Sequence, residues 1–228
     1  MKQEIKGSYK QLIVDTGIEM VRKGITVGTW GNISARDPES GLIYISPSGM
    51  DYSTIQPQHV VVMDSELNII DGAAEPSIEK HMHVAVFNAR KDVNAVIHTH
   101  PVYSTAFGVA EQNLPGVSED FIQIVGAEIQ VATPYELPGT EALGEVAVKG
   151  LGTNNAVLLP GHGALVVGAD MKMALKVSMV LEKNAQIYIY AKMLGGDGHI
   201  RLFGQNEIDA MQEFAKNHYG QKNKDLYS

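Results

Sequence analysis

The stretch Val93-Asn94-Ala95-Val96-Ile97-His98-Thr99-His100-Pro101 is an apolar, β-branched run that ends on two histidines and a proline. It reads as a buried strand. On a strand, residues i and i+2 share a face, so His98 and His100 project together from its end. Pro101 lacks an N–H and fixes φ, which stops the pairing and leaves both rings at a sheet edge where a cleft can open. A second apolar run, Leu158-Leu159-Pro160, leads into Gly161-His162-Gly163, where glycine permits unusual backbone angles or close approach. Two same-face histidines and a third from a neighbouring strand end make the three-nitrogen set of a zinc site with an open coordination position. Imidazole also accepts manganese, cobalt or iron. His59, His81 and His83 compete for the role, but the last two fall in an expected helix, where positions i and i+2 diverge by about 200°.

Outward from this strand, residues 8–23 place Leu12, Ile13, Gly17, Ile18 and Val21 at helical spacing and close on Gly24. Strands are expected at 25–30, 42–46 and 60–64, followed by Leu67-Asn68-Ile69-Ile70. A helix opens near Pro76-Ser77, where Ser can cap and Pro fits the first turn, and runs to about Arg90. Helices at 104–111 and 118–126, a strand at 129–133, and a helix from Thr140-Glu141 to Leu151 come next. Strands at 156–159 and 164–167 flank His162, and long helices occupy 171–194 and 206–218. Helices that bracket and interrupt short strands make an α/β domain whose sheet is covered by helices.

The chain has 228 residues, no cysteine and a formal net charge of −8. No linker, charge block or repeat divides it, so it reads as a single domain over 1–228. Hydrophobic content of 44% against 19% charged excludes wholesale disorder. The acidic balance argues against a nucleic-acid partner, which needs basic groups to displace counterions. Without cysteine a metal site must use N and O donors. Met1–Lys6 lacks the apolar core of a signal peptide, and no run of about 18 apolar residues spans a bilayer. A cytoplasmic protein with no membrane partner is expected.

Two turns, Thr29-Trp30-Gly31-Asn32-Ile33-Ser34 and Ser46-Pro47-Ser48-Gly49-Met50, are rich in hydroxyls, amides and glycine. With Pro76-Ser77 they offer N–H and side-chain donors for a phosphate without a basic cluster. Neither a G-x-G-x-x-G nor a P-loop pattern occurs. Glu79 is expected in the first turn of its helix, where the helix dipole favours the ionised form. Beside a three-histidine metal it could act as a general base or as a displaceable ligand.

Taken in order, Gly31-Asn32-Ile33-Ser34, Ser46-Pro47-Ser48-Gly49, Pro76-Ser77-Ile78-Glu79, His98-Thr99-His100-Pro101 and Gly161-His162-Gly163 resemble the class II (zinc-dependent) sugar-phosphate aldolase, L-ribulose-5-phosphate 4-epimerase and adducin head family. The resemblance runs over about residues 8–220, leaving a short C-terminal tail, and its motifs are most similar to those of the L-fuculose-1-phosphate aldolase branch. It implies a three-layer αβα domain with a central, mainly antiparallel sheet, and a homotetramer with active sites at subunit interfaces. The implied reaction is cleavage of a ketose phosphate, L-fuculose 1-phosphate-like, to dihydroxyacetone phosphate and an aldehyde through a metal-stabilised enediolate.

By motif match, His98, His100 and His162 look like zinc ligands and Glu79 like the acid/base residue. Asn32, Ser48, Gly49 and Ser77 look like a cradle for the substrate phosphate, with Thr29 beside it. Two positions depart from the pattern. Ile78 stands where the family commonly has a second serine, and Ser118-Glu119-Asp120 stands where the aldolase has a catalytic tyrosine, so Glu119 or Asp120 is the candidate second acid/base. Tyr219 looks like the family's mobile C-terminal tyrosine. The same site would suit a 4-epimerase, dehydratase or decarboxylase of a sugar phosphate or sugar acid. A non-catalytic, adducin-like scaffold is the remaining alternative, and a binding module has no reason to keep both three metal ligands and a base.

Overall fold

β-Branched and apolar runs build the centre of the molecule. The computed structural model describes residues 4–195 and 200–217. The strands are β1 Asn32–Arg36, β2 Ile43–Ile45, β3 Val61–Met63, β4 Ile69–Asp71, β5 Ala95–Thr99, β6 Leu114–Pro115, β7 Glu128–Ile129, β8 Ala156–Leu159 and β9 Gly163–Gly168. The helices are α1 Gly7–Arg22, α2 Lys80–Ala89, α3 Val102–Val109, α4 Glu119–Ile124, α5 Glu141–Leu151, α6 Met171–Gly195 and α7 Gln205–Asn217. Seven strands form one sheet in the order β4-β3-β2-β1-β5-β9-β8, antiparallel at every step, and β6 pairs with β7 separately.

Strand side chains alternate between faces, and the two faces fill two cores. Ala95 and Ile97 of β5 join Ile13 and Met20 of α1 and Val177 and Leu181 of α6. Val96 joins Met82, Val86 and Phe87 of α2 and Leu143, Ala147 and Leu151 of α5. The described fold is therefore three layers, helices over both faces of an antiparallel sheet. Period-two alternation puts His98 on the α2/α5 face with Val96.

Three expectations need correction. Residues 25–30 form a turn, not a strand: Trp30 N–H donates to the Val27 carbonyl, and Gly28 and Gly31 take positive φ. The strand is β1, which follows that turn. The helix expected from Ser77 begins at Lys80, with Glu79 at its N-cap rather than in its first turn. The strand expected at 129–133 shrinks to Glu128–Ile129 because its partner β6 offers only two residues.

Candidate active site

Four elements converge on one point. β5 carries His98 and releases the chain at His100, the turn between β8 and β9 carries His162, the N-cap of α2 carries Glu79, and β1 sets Asn32 directly opposite His98. Two glycines make this approach possible. Gly31 has φ +77°, and a Cβ there would meet the His98 carbonyl oxygen at 2.5 Å. At Gly163 a Cβ would meet the Thr99 carbonyl oxygen at 2.4 Å and His100 Cδ2 at 2.8 Å.

The ring centroids of His98, His100 and His162 are separated by 4.6, 4.6 and 5.0 Å, and one ring nitrogen of each lies within 4.8 Å of the others. His98 Nδ1 sits 3.0 Å from the Ala164 carbonyl oxygen. A carbonyl only accepts, so Nδ1 carries the proton and Nε2 presents its lone pair, the arrangement a metal-ligating imidazole requires. That Nε2 lies 2.7 Å from His100 Nε2. Burial, then the neighbouring His162 and His100, hold His98 well below the usual imidazole range; burial lowers His100; and burial, then His100, lower His162 to about 4. Neutral imidazole is the ligating form. His162 Nδ1 and Glu79 Oε1 are buried without a hydrogen-bond partner. Buried polar atoms are normally paired. Converging imidazoles with the unpaired Glu79 Oε1 beside them fit a divalent cation, and among the described residues this trio is the cluster able to hold one.

Glu79 is buried against the trio, with Oε2 3.3 Å from His98 Nε2 and Oε1 3.6 Å from His162 Nε2. Burial pushes its carboxyl above the usual range and the Asn32 amide, donating to Oε2 at 2.7 Å, pulls it back. Desolvation thus outweighs the help expected from the helix N-terminus. Behind Asn32 stands His83, fully buried, with Nε2 2.5 Å from Asn32 Oδ1 and Nδ1 2.6 Å from Ser34 Oγ. From the sequence His83 stands only as a competing metal ligand and Ser34 only as part of a turn motif; neither is expected there to support Asn32. The available signal was the four-residue spacing of Glu79 and His83, which puts both on one helix face.

A cleft of about 280 Å³ opens beside the trio. Thr29, Asn32, Ser48, Gly49, Ser77 and Glu79 line it, with His100 and His162. Backbone bonds zip the two serine loops together: Ser48 N–H donates to the Glu75 carbonyl at 2.9 Å and Ser77 N–H to the Ser46 carbonyl at 3.0 Å. Ser77 Oγ accepts the Glu79 N–H at 3.3 Å. Ile78 also lines the cleft and is 59% exposed. Trp30 stands at its rim, 5.7 Å from the His100 ring centroid to centroid.

Not every candidate reaches this point. Glu119 and Asp120 lie at the start of α4 and line no part of the cleft; Asp120 is paired with Lys183. Tyr219 lies outside the described residues. His81 faces Glu141 at 3.8 Å, and His59 Nδ1 accepts the Gln56 N–H at 3.2 Å, so neither joins the trio.

The family described as Class II Aldolase and Adducin N-terminal domain matches residues 11–189. The chain belongs to this family. It is a class II aldolase, as its relatives are named. The 5-deoxy-D-ribulose 1-phosphate aldolase of Bacillus thuringiensis serovar kurstaki is 37% identical over 213 residues, covering 93% of this chain and 97% of its own. The L-fuculose phosphate aldolase of Escherichia coli K12 is 33% identical over 177 residues, covering 78% of this chain and 80% of its own. A solved L-fuculose 1-phosphate aldolase superposes with a TM-score of 0.88 at 32% identity, over 93% of this chain and 98% of that one. These names favour neither the epimerase, dehydratase and decarboxylase alternatives nor a non-catalytic scaffold. Class II aldolases are metal-dependent, and the histidine trio is this chain's potential metal site. Among the described residues no helix is long and apolar enough to cross a membrane.

Proposed function

We propose that this aldolase cleaves a small phosphorylated ketose, L-fuculose 1-phosphate-like, to dihydroxyacetone phosphate and an aldehyde. The observation that carries the reading is the single cleft in which five neutral donor residues, Thr29, Asn32, Ser48, Gly49 and Ser77, adjoin Glu79 and the histidine trio. A divalent cation held by His98, His100 and His162, zinc in this proposal with manganese, cobalt or iron as substitutes, supplies Lewis-acid stabilisation of charge beside the substrate carbonyl. The chain's own groups do the rest. The Ser48 and Ser77 hydroxyls and the Gly49 N–H of the serine loops anchor the phosphate and so fix where the carbon chain lies. As the C3–C4 bond breaks, its electron pair goes to C3, a proton leaves the C4 hydroxyl and one arrives at C3. Glu79 is the carboxylate placed beside the trio for that traffic.

A homotetramer with sites at subunit contacts is part of the proposal, since Glu119, Asp120 or Tyr219 can then serve a neighbouring copy's cleft as second acid/base. Sedimentation analysis should return four times the chain mass. A cytoplasmic location follows from the proposed substrate, because a charged sugar phosphate does not cross a bilayer unaided. The test is a comparison of L-fuculose 1-phosphate, ribulose 1-phosphate and their unphosphorylated parents on protein reconstituted with each metal, with Ser48→Ala and Ser77→Ala alongside. Metal analysis should give about one ion per chain, lost in His162→Ala. If phosphate changes neither KM nor turnover, the two serines are turn residues and the cradle reading falls.

A further inference from the structure

Ser34, His83, Asn32 and Glu79 form one buried hydrogen-bonded line that ends at the carboxylate beside the histidine trio. Its direction can be worked out atom by atom. A carboxylate only accepts, so the atom of Asn32 that faces Glu79 Oε2 at 2.7 Å is Nδ2, and the atom that faces His83 is Oδ1. Oδ1 also only accepts, so His83 Nε2 carries the ring proton. His83 Nδ1 is then the lone-pair nitrogen, and the Ser34 hydroxyl donates to it at 2.6 Å. Every donor in the line points toward Glu79, and each member removes the freedom of the next.

We infer that His83 is a positioning residue which, through Asn32, ties up Glu79 Oε2 and leaves Oε1 as the proton-accepting oxygen. The inference deepens the proposed role of Glu79 and rests on it. Oε1 is the buried carboxylate oxygen without a hydrogen-bond partner, and it faces His162 on the cleft side. Without the Nε2 proton of His83, Oδ1 of Asn32 is buried without a donor, and only the Glu79 carboxylate is left to hold the amide in this orientation. An amide turned end for end sets Oδ1 against Oε2, and two acceptors repel. Glu79 then loses the contact that orients it. Burial keeps the imidazole of His83 neutral, its affinity for a second proton lowered to about 3 by desolvation, so its tautomer rather than its charge carries the effect.

Two substitutions separate this role from simple packing. The Nε2 of Gln reaches about where the Nε2 of His does and still donates, whereas Asn is too short to reach Asn32. His83→Gln should keep kcat within about threefold of the parent, while His83→Asn should lose about 10- to 100-fold in kcat, the range for a broken buried hydrogen bond. Both should keep a full complement of metal, because His83 is not in the ligand trio. In an Asn32→Ala background the difference between the two variants should vanish, since the effect passes through Asn32. Equal kcat for the two variants in the parent, or an undiminished difference without Asn32, overturns the inference. A readout on the unaltered protein covers failure of the variants to fold: imidazole ¹⁵N shifts should report His83 as the Nε2–H tautomer, and the Nδ1–H tautomer overturns the inference outright. Glu79→Gln keeps the two failures apart. If that variant loses turnover while the His83 pair behaves alike, the positioning role fails and the proposed role of Glu79 stands; full turnover in Glu79→Gln removes the role of Glu79 itself.

Discussion

Glu79 and Ile78 are neighbours with opposite demands on their surroundings. Glu79 is buried and held by one amide, while three imidazoles suffice for the metal site. Exchanging it for Gln keeps the shape and removes the proposed base, so metal content should be unchanged while kcat falls about 10²-fold or more. Metal analysis beside steady-state kinetics checks this, and wild-type turnover in the loaded variant sends the proton transfer to another residue. Ile78 is exposed on the cleft, where an apolar side chain contributes no donor to an anion. Ile78→Ser should lower KM for a phosphorylated ketose by about tenfold, the low end for a hydrogen bond to a charged group. Its unphosphorylated parent should show no such gain, and a uniform change for both would mean that Ile78 does not face the phosphate.

The strands that carry the histidines were legible because their side chains are apolar on both faces. β5, β8 and β9 are buried throughout, and such strands read as continuous apolar runs closed by a turn. β1 hid itself. Its Asn32 and Ser34 point toward α2 and into the site, so a core strand carries the composition of a turn. The real turn before it, Ile25-Thr26-Val27, has β-branched residues and looks like a strand. Tertiary demand outweighed local composition at both places. The ordered motifs sufficed for the trio, Glu79 and the lining of the cleft. They could not disclose the Ser34–His83–Asn32 line, which exists only because the fold brings α2 onto β1, a contact that spacing along the chain does not encode. Gly163, at the start of β9, shows how closely β9 lies against β5. Gly163→Ala must push the Thr99 backbone away, and it should cost about 1–3 kcal/mol in urea unfolding. It should also weaken metal retention, because Thr99 lies between two of the proposed ligands. Unchanged stability would mean the two strands separate more readily than their contact suggests.

Stability of the assembled domain should depend on acid through His83. The group titrates near 6.5 in an unfolded chain and near 3 when buried, so between those values the unfolded state binds a proton that the folded state refuses. Stability is therefore complete above about pH 6.5 and falls as pH drops toward 3, with a slope of at most about 1.4 kcal/mol per pH unit from this group. Urea midpoints of metal-free protein at about pH 7.5 and about pH 5 should fall further apart in the parent than in His83→Gln, which cannot titrate. Identical acid sensitivity in the two would remove His83 as the source. Metal should raise the melting temperature, and a chelator should lower it, because the proposed ligands from β5 and the β8–β9 turn come together only in the folded chain. The pairing of Asn32 with His98 across β1 and β5 has one more consequence. A slip of one residue would turn His98 to the opposite face, so no small adjustment of either strand preserves the chemistry. The reactive set is frozen, whereas Trp30 and Ile78 at the rim, exposed and free of the ladder, can be exchanged one at a time. Descendants of this chain can acquire new substrates at those two rim positions while inheriting the catalyst unaltered.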